Sequence, residues 1–350
     1  MTVPAWLCGN ARAEGISFQY LGTLSPGLSG GSALAISTDL STIVGWSRYG
    51  DSDYPYAAMY WTAAGGMQPI LPPIPSIGMA EAVSADGQTI VGHSAPTARY
   101  TTAWRWTSSG GFQWLYPLGN TLHQSQAMDV SADGSVVVGY HMEGGDWEAF
   151  RWTEAHGVES LGSLPGYTPH SATGVSADGS VIVGYGQGAT ALMSFLWTAE
   201  DGLVVLDDAP GFEARAVSDD GKVIVGFGGG TTRRWTAETG LVSLGPGLVH
   251  DVSGDGSVVV GSSLAGAWVW DEIHGMRLVS DILTEAGIDI TGWLLAGAHG
   301  VSYDGTVIVG EGLRADAPAG AWMVTIPEPA TVSLLGLGLG AALLRRRRLK

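Results

Sequence analysis

The sequence predicts an all-β fold: a seven-bladed β-propeller of four-stranded blades, closed by its N-terminal strand and followed by a C-terminal hydrophobic helix. Three observations lead to this prediction. One unit repeats seven times at a spacing of 35 to 49 residues. Each unit contains four short strand-like segments, and 54 glycines allow the many tight turns between them. The seventh unit lacks its fourth strand, and a single copy of that strand precedes the first unit.

The repeated unit opens with a segment that reads VSADGSVIVG in its fourth copy and ends there at Gly184. The other copies end at Gly45, Gly92, Gly139, Gly226, Gly261 and Gly310. A tryptophan follows in every unit, at Trp61, Trp106, Trp152, Trp197, Trp235, Trp270 and Trp322. We interpret these tryptophans as one repeated position that packs between blades rather than as a set of ligand-binding groups.

The fourth unit illustrates the four strands. ATGV is the first strand and SVIVG the second, and the Ala-Asp-Gly loop between them needs a glycine in the left-handed conformation. The unbroken Val/Ile run of the second strand predicts burial on both faces. SFLWT is the third strand and GLVVL the fourth. Sheets that are hidden on both faces must stack on neighbours, and stacking around an axis gives a propeller.

Closure of the ring is predicted from the two ends of the repeat array. FQYLGTL, from Phe18 to Leu24, matches the fourth-strand pattern VESLGSL, so we expect it to complete the seventh blade. An open β-solenoid and a pair of sandwiches are the alternative architectures. One short helix is expected in the longest insertion, from Asp281 to Ala286, ending at Gly287.

An aspartate recurs in the first hairpin of every unit, at Asp39, Asp86, Asp133, Asp178, Asp220, Asp255 and Asp304. We interpret it as a turn former whose carboxylate accepts a local backbone N–H, rather than as a calcium ligand. Leu40 replaces the hairpin glycine in the first unit. That hairpin therefore either differs in conformation or carries about 1 to 2 kcal/mol of strain.

The repeat resembles the HAF repeat of bacterial extracellular proteins, which is named for a His-Ala-Phe sequence before the tryptophan. EAFRWT, from Glu148 to Thr153, is the nearest copy, and the name-giving histidine is absent from it. The resemblance covers roughly residues 18 to 325. It implies an exported repeat protein and brings no established chemistry with it.

Two segments flank the predicted propeller of residues 16–326. Residues 1–15 read as a secretion signal with a cleavage site at Ala11-Arg12-Ala13, although its basic n-region is missing and its true start is expected further upstream; a disordered leader is the alternative. Residues 327–350 form a tail. Its apolar stretch, Ala330 to Leu344, would extend only about 22 Å as a helix, whereas a hydrocarbon core is about 30 Å thick.

The tail resembles the PEP-CTERM sorting signal of Gram-negative bacteria in all three of its parts. These parts are Pro327-Glu328-Pro329, the short hydrophobic helix, and the cluster Arg345, Arg346, Arg347 and Arg348. An ordinary tail anchor would not account for the Pro-Glu-Pro. The resemblance implies an exosortase-type processing enzyme as a partner and a host that makes exopolysaccharide. It also implies a transient inner-membrane anchor before release to the cell surface or the extracellular space.

Charge and composition argue against several function classes. Acidic residues outnumber basic ones 33 to 16, so the protein would repel phosphate backbones and no nucleic acid is expected as a partner. The eight histidines form no HExxH and no i, i+4 pair, so neither a metal site nor a cofactor is expected. No catalytic residue is predicted. His170, His250 and His299 are expected just before the first strands of their blades, where they could line the mouth of the channel.

The candidate binding site lies on the variable loops, which should emerge on one face. In the first three units these loops combine aromatic with acidic residues, a combination that holds sugar rings by stacking and hydrogen bonding; nonspecific surface polarity is the alternative interpretation. The candidate ligand-binding residues are Trp46, Tyr49, Tyr54, Tyr56, Tyr100, Tyr140, Asp146 and Trp147. We therefore predict a non-catalytic surface or matrix protein that binds glycan or matrix partners. A propeller lyase or glycosidase and a purely structural coat component are the alternatives.

Overall fold

The computed structural model describes residues 15–25, 28, 30–50, 56–74, 76–97, 100–116, 124–143, 145–206, 211–314 and 320–327. These residues form seven antiparallel four-stranded sheets and one helix. The prediction of a seven-bladed all-β propeller is therefore confirmed. The predicted C-terminal hydrophobic helix lies outside the described residues.

The strands of blades 1 to 6 follow chain order within each sheet. Blade 1 contains β2 (Gly31–Ile36), β3 (Ile43–Arg48), β4 (Tyr56–Thr62) and β5 (Gly66–Ile70). Blade 2 contains β6 (Ile77–Val83), β7 (Thr89–Thr97), β8 (Tyr100–Thr107) and β9 (Gly111–Trp114). Blade 3 contains β10 (Gln124–Val130), β11 (Val136–Glu143), β12 (Asp146–Thr153) and β13 (Gly157–Ser160).

The remaining blades follow the same plan. Blade 4 contains β14 (Thr168–Val175), β15 (Val181–Gln187), β16 (Leu192–Thr198) and β17 (Gly202–Val205). Blade 5 contains β18 (Glu213–Val217), β19 (Ile224–Gly228), β20 (Thr231–Thr236) and β21 (Gly240–Pro246). Blade 6 contains β22 (Leu248–Val252), β23 (Val258–Ser263), β24 (Gly266–Asp271) and β25 (Gly275–Leu278). Blade 7 contains β26 (Trp293–Val301), β27 (Val307–Arg314), β28 (Gly320–Thr325) and β1 (Ser17–Gly22).

Blade 7 is completed by the N-terminal strand, as predicted. β1 pairs antiparallel with β28, and Tyr20 lies opposite Trp322. The first strand of the chain therefore forms the outer edge of the last blade, in the order β1-β28-β27-β26. Because β1 leads into blade 1, this pairing joins the two ends of the repeat array in one sheet and closes the ring.

The antiparallel order sorts the connections onto two faces of the ring. Turns that join first to second strands, and third to fourth strands, lie on one face, which we call the hairpin face. Loops between second and third strands, and between successive blades, lie on the opposite face, which we call the loop face. The variable loops thus share one face, as expected.

Close packing explains the glycine that ends each repeated segment. In blade 4 a β-bulge between Ala172 and Gly174 interrupts the pairing of the first strand with the second. A Cβ on Gly184 would overlap the Ser171 carbonyl oxygen and lie 2.8 Å from the Phe195 ring. The six equivalent glycines face a first-strand carbonyl in the same way. Any other residue at these positions would force the two inner strands apart.

The repeated aspartates form turns, as predicted. In blade 4 the Asp178 carboxylate accepts hydrogen bonds from the Ser176 hydroxyl at 2.7 Å and from the Ser180 backbone N–H at 2.9 Å. Both bonds recur in the other six blades. Hydrogen bonds to the ionised form, first from the Ser180 side chain, hold the pKa of Asp178 below its usual value.

Leu40 adopts the conformation that its hairpin requires. In the other six hairpins the equivalent glycine has φ between 70° and 74°. Leu40 has φ 61°, and no other non-glycine residue in the described part of the chain has a positive φ. Of the two alternatives drawn from the sequence, the strained hairpin is therefore the one observed.

Backbone hydrogen bonds connect successive hairpins around the channel. The Asp39 N–H donates to the Ala85 carbonyl at 3.0 Å. Equivalent bonds join blades 2 to 3, 3 to 4, 4 to 5, 5 to 6 and 6 to 7, ending with Asp255 and Tyr303. Within the described residues this bond is not formed from blade 7 to blade 1. That junction is also the one that contains Leu40.

The repeated tryptophans pack between blades, with one correction. Trp106 stacks on Tyr60 of the preceding blade at 5.6 Å, and Arg105 lies 5.5 Å from the ring of Trp152 in the next blade. Trp322 does not share their position, because it pairs with Gly310 just as Phe195 pairs with Gly184. Val324 occupies the repeated position in blade 7. The sequence alignment was wrong there by two residues because tryptophan occurs at both positions.

The predicted helix is present with a different start. α1 covers Val279–Glu285 rather than beginning at Asp281. It begins earlier because Val279, Ile282 and Leu283 are buried in the core of blades 6 and 7. Gly287 follows with φ 73°, the left-handed conformation that ends many helices.

Candidate functional site

The predicted ligand-binding residues form two separate pairs on the loop face. In blade 1 the rings of Trp46 and Tyr56 meet edge to face at 5.1 Å, and the Arg48 guanidinium lies 5.9 Å from the Tyr56 ring. Tyr49 follows β3 and is exposed. Tyr54 lies outside the described residues. Both rings of this pair are partly buried.

The second pair lies in blade 3. Tyr140 on β11 and Trp147 on β12 meet edge to face at 5.2 Å, and Asp146 is exposed at the start of β12. Burial raises the pKa of Tyr140 to about 12, so its hydroxyl stays protonated. Tyr100 begins β8 in blade 2. Four of the eight predicted residues thus form two ring pairs in different blades, Trp46 with Tyr56 and Tyr140 with Trp147.

Trp147 borders an open groove between blades 3 and 4. The groove has a volume of about 390 Å³ and contains Asp146, Trp147 and Glu148 on one side. The other side is lined by residues that end or follow β13 or begin β14, together with one from β15: Ser160, Gly162, Ser163, Thr168, Pro169, His170 and Gln187. Burial lowers the pKa of His170, so this imidazole is neutral at pH 7.

The groove offers a ring face, two carboxylates, an imidazole, an amide and several hydroxyls within one small volume. Carboxylates accept hydrogen bonds from hydroxyl groups, amides both accept and donate them, and an indole face packs against apolar C–H groups. His170 lies within β14 rather than before it, and it lines this groove rather than the channel. The expected position of His170 was therefore wrong.

The central channel is lined by the first strand of every blade. Its cavity of about 200 Å³ includes one side chain from the bulge of each first strand, namely Leu34, Glu81, Met128, Thr173, Arg215, His250 and His299. His250 and His299 thus do line the channel, although both lie within their strands rather than before them. Six different residue types occupy these seven positions, and histidine alone occurs twice.

A polar cluster occupies the channel wall at blades 6 and 7. The His250 Nε2 atom lies 2.9 Å from the Ser262 Oγ atom, and the rings of His250 and His299 are 4.4 Å apart. The His299 Nε2 atom lies 3.6 Å from the Glu311 Oε1 atom. Burial, reinforced by His299 and Arg215, lowers the pKa of His250 to about 3, so this ring is neutral at pH 7.

Sequence reasoning did not identify Ser262 or Glu311. Both directly follow the glycine that ends the repeated segment, as do His93 and Tyr185 in other blades. His93 lies 3.2 Å from Glu81, and the Tyr185 ring lies 5.4 Å from the Arg215 guanidinium. The residue after the glycine therefore faces the bulge residue in several blades. Its variation between units was the signal that could have revealed this cluster.

Two partly buried aspartates near the channel have structural partners. Asp129 accepts hydrogen bonds from the N–H groups of Val130 and of Val175 in the next blade, both at 2.8 Å. Asp251 accepts the equivalent bonds from Val252 and from Val301 at 2.8 and 3.0 Å. Each carboxyl group thus connects two adjacent blades. Burial raises the pKa of both to about 7.

The described residues contain no group of three or more His, Cys, Asp or Glu side chains placed to hold a metal ion. No helix in the described part of the chain is long and apolar enough to cross a membrane. Of the predicted sorting-motif residues, Pro327 is described, and Glu328, Pro329 and Arg345 to Arg348 lie outside the described residues. The leader of residues 1–15 lies outside them as well, apart from Gly15.

The fold is similar to solved propeller structures at low sequence identity. An oligogalacturonate lyase in complex with manganese is 15% identical, with 91% of this chain and 97% of that chain covered and a TM-score of 0.54. A puromycin hydrolase is 15% identical, with coverage of 86% and 54% and a TM-score of 0.55. The chain spans 65% of TolB from Acinetobacter baumannii, at 13% identity, 83% coverage of this chain and a TM-score of 0.47. The similarity to the lyase and to the hydrolase indicates a shared fold alone.

One family model matches the sequence, and it covers the tail. Residues 325–348 match the PEP-CTERM protein-sorting motif. None of the curated proteins matches the chain. The sorting motif is a substrate signal for exosortase, and it indicates an exported protein with a C-terminal sorting tail.

Proposed function

We propose that this protein is a non-catalytic component of the cell surface or extracellular matrix that binds glycan through the groove between blades 3 and 4. The observation that supports this proposal is the position of Trp147, which stands between Asp146 and Glu148 at the edge of a 390 Å³ groove on the loop face. A cavity of that size suits one or two sugar rings. The indole would pack on a sugar face while the carboxylates and His170 accept and donate hydrogen bonds to hydroxyls.

Export and processing form the second part of the proposal. The hydrophobic tail would hold the chain in the inner membrane until an exosortase-type enzyme removes it, and the propeller would then reach the cell surface or the exopolysaccharide outside it. The resemblance of the repeat to the HAF repeat is consistent with an exported protein. β28 ends on the hairpin face, so the groove on the loop face would point away from the membrane at every stage.

The test is glycan binding by the chain without residues 328–350, measured on a glycan array and by calorimetry with the exopolysaccharide of the host. Replacing Trp147→Ala should weaken binding about tenfold, because an aromatic packing contact contributes about 1 kcal/mol or more. Tyr49→Ala is the matched control, since Tyr49 is an exposed aromatic residue of the same face outside the groove. Equal losses in the two variants would remove the groove from consideration. Absence of binding at millimolar sugar would favour a purely structural coat component.

A polysaccharide lyase or glycosidase is the second candidate function. It is favoured by the channel cluster, where a neutral imidazole, a serine hydroxyl and a carboxylate lie close together at His250, Ser262 and Glu311. Such groups could transfer a proton to or from a sugar that enters the channel. Mass spectrometry of the same glycans after incubation tests this candidate. Intact glycans after prolonged incubation would eliminate it.

A further inference from the structure

The sorting motif begins inside the folded propeller. Its first matched residue, Thr325, is the last residue of β28. The Ile326 N–H donates to the Thr306 carbonyl at 2.7 Å, and the Ile326 side chain packs against the core of blade 7. Pro327 lies against the N-terminal segment, since a Cβ on Gly15 would be 2.9 Å from its Cγ atom. No spare chain separates the fold from the motif.

This arrangement brings the hairpin face close to whatever receives the tail. β28 runs from the loop face to the hairpin face, so the chain leaves the propeller there at Pro327. The apolar stretch begins at Ala330, three residues further on. Three extended residues reach at most about 10 Å. When the stretch is in the membrane, as the proposed function requires, the point where the chain leaves the hairpin face is within roughly one Debye length of the membrane-bound machinery.

The hairpin face is strongly acidic. Besides the repeated aspartates, its turns carry Glu154, Glu200, Asp201, Asp219, Glu238 and Glu272. Lys222 is the single lysine or arginine in these described turns, and it pairs with Asp220 at 2.8 Å. The carboxylates of Glu154, Glu200 and Glu238 are exposed and lie in turns between third and fourth strands. Such a face repels anionic lipid headgroups and attracts a basic protein surface.

We propose that the hairpin face docks on a basic outer surface of the membrane-bound enzyme that processes the tail. The enzyme would then recognise the propeller as well as the sorting motif, because the two reach it together. This inference rests on the proposed function, in which the tail is a processing signal. The occupant is a protein rather than the bilayer, since an anionic bilayer surface would oppose the approach of this face.

Cleavage of the full chain tests the inference, with the chain co-expressed with an exosortase from a bacterium that carries this motif. The hairpin-face variant combines Glu154→Lys, Glu200→Lys and Glu238→Lys. The matched control combines Asp281→Lys, Glu285→Lys and Asp289→Lys, three exposed acids of the connection between blades 6 and 7 on the opposite side. The wild type and the hairpin-face variant are each also made with ten Gly/Ser residues between Ile326 and Pro327, which adds up to about 30 Å of reach. Circular dichroism confirms that each variant is folded.

We expect the hairpin-face variant to be processed about tenfold more slowly than the wild type and the control to change less than twofold. The inserted spacer should abolish this difference, because it moves the face several Debye lengths from the enzyme. Equal rates for the two charge variants would overturn the docking, and so would faster processing of the hairpin-face variant, which would indicate repulsion by the bilayer. An uncleaved wild-type chain would instead overturn the proposed processing itself.

Discussion

Leu40 allows the strain in the closed ring to be measured directly. Its φ of 61° lies in the left-handed region, which costs a residue with a Cβ about 1 to 2 kcal/mol. The side chain is 44% exposed, and the glycine and alanine variants both lose the apolar surface that it buries. Glycine also increases the conformational entropy of the unfolded chain, which offsets about 0.4 to 1 kcal/mol of the energy gained by relieving the strain. We therefore expect the free energy of unfolding of Leu40→Gly to be about 0.5 to 1 kcal/mol higher than that of Leu40→Ala, which loses nearly the same contacts but keeps the strained φ.

The assay is thermal unfolding of the chain without residues 328–350, followed by circular dichroism. A difference of this size should place the Tm of Leu40→Gly about 1 to 3 °C above that of Leu40→Ala in a domain of this length. Leu40→Ala is the control, because alanine removes most of the side chain but keeps the strained φ. Gly134→Ala is the converse test. Its Cβ would overlap Thr89 of the preceding blade and acquire the strain at φ 72°, so it should lose about 2 to 4 kcal/mol.

Two outcomes would refute this reasoning. If Leu40→Ala raised the Tm as much as Leu40→Gly, the gain would come from removing an exposed apolar side chain rather than from relieving φ. If Leu40→Gly lowered the Tm, the leucine would be stabilising the junction of blades 7 and 1 by contacts that outweigh its strain. After either result, strain at Leu40 could no longer explain why the hydrogen bond between hairpins is missing at this junction.

Two further predictions concern the inner strands. Burial raises the pKa of Asp129 and Asp251 to about 7, so the folded state binds more protons than the unfolded state and stability falls as pH rises from about 4 to 7. Burial lowers the pKa of His250 to about 3, which gives the opposite slope between pH 3 and 6.5. The Tm of the wild type should therefore fall as the pH rises from 4.5 to 6.5. The Tm of the double variant Asp129→Asn, Asp251→Asn should rise over the same range. A wild-type Tm that rises would contradict the raised pKa values of the two aspartates. Separately, Gly184→Ala should lose about 2 to 3 kcal/mol in urea unfolding because its Cβ overlaps a backbone carbonyl, and a loss below 1 kcal/mol would mean that the bulge relaxes.

The blades could be predicted from the sequence because each one is specified locally. The hairpin of Asp178 and Gly179 is formed by residues within the same segment, including Ser176. The Val/Ile run that follows it indicates a strand buried on both faces. Closure was also predictable, since Phe18 to Leu24 carries the pattern that blade 7 lacks. The position of Trp322 was not, because a tryptophan fits both above the repeated glycine and between blades. In blade 7 the pairing of β28 with β27 places Trp322 opposite Gly310, and an alignment of the repeats along the sequence contains no information about that pairing.

The candidate sites were harder to predict because they depend on distant residues. Loop composition singled out Asp146 and Trp147, but part of the other wall of their groove comes from blade 4, including His170 and Gln187. The channel cluster combines His250, Ser262, His299 and Glu311, which meet only when blades 6 and 7 pack side by side. Single residues at variable positions carry no periodic signal. Their chemistry becomes visible only after the ring places them on a common axis.

The position of the sorting motif relative to blade 7 has a consequence for the released protein. β28 is held between β27 on one side and β1 on the other, so it is an interior strand of the sheet that closes the ring. Removal of the chain beyond Pro327 would leave every pair between Ser17 and Thr325 in place. A cut only a few residues earlier would shorten β28 and expose the edges of both neighbours. The proposed cleavage beyond Pro327 would therefore release the propeller without opening it.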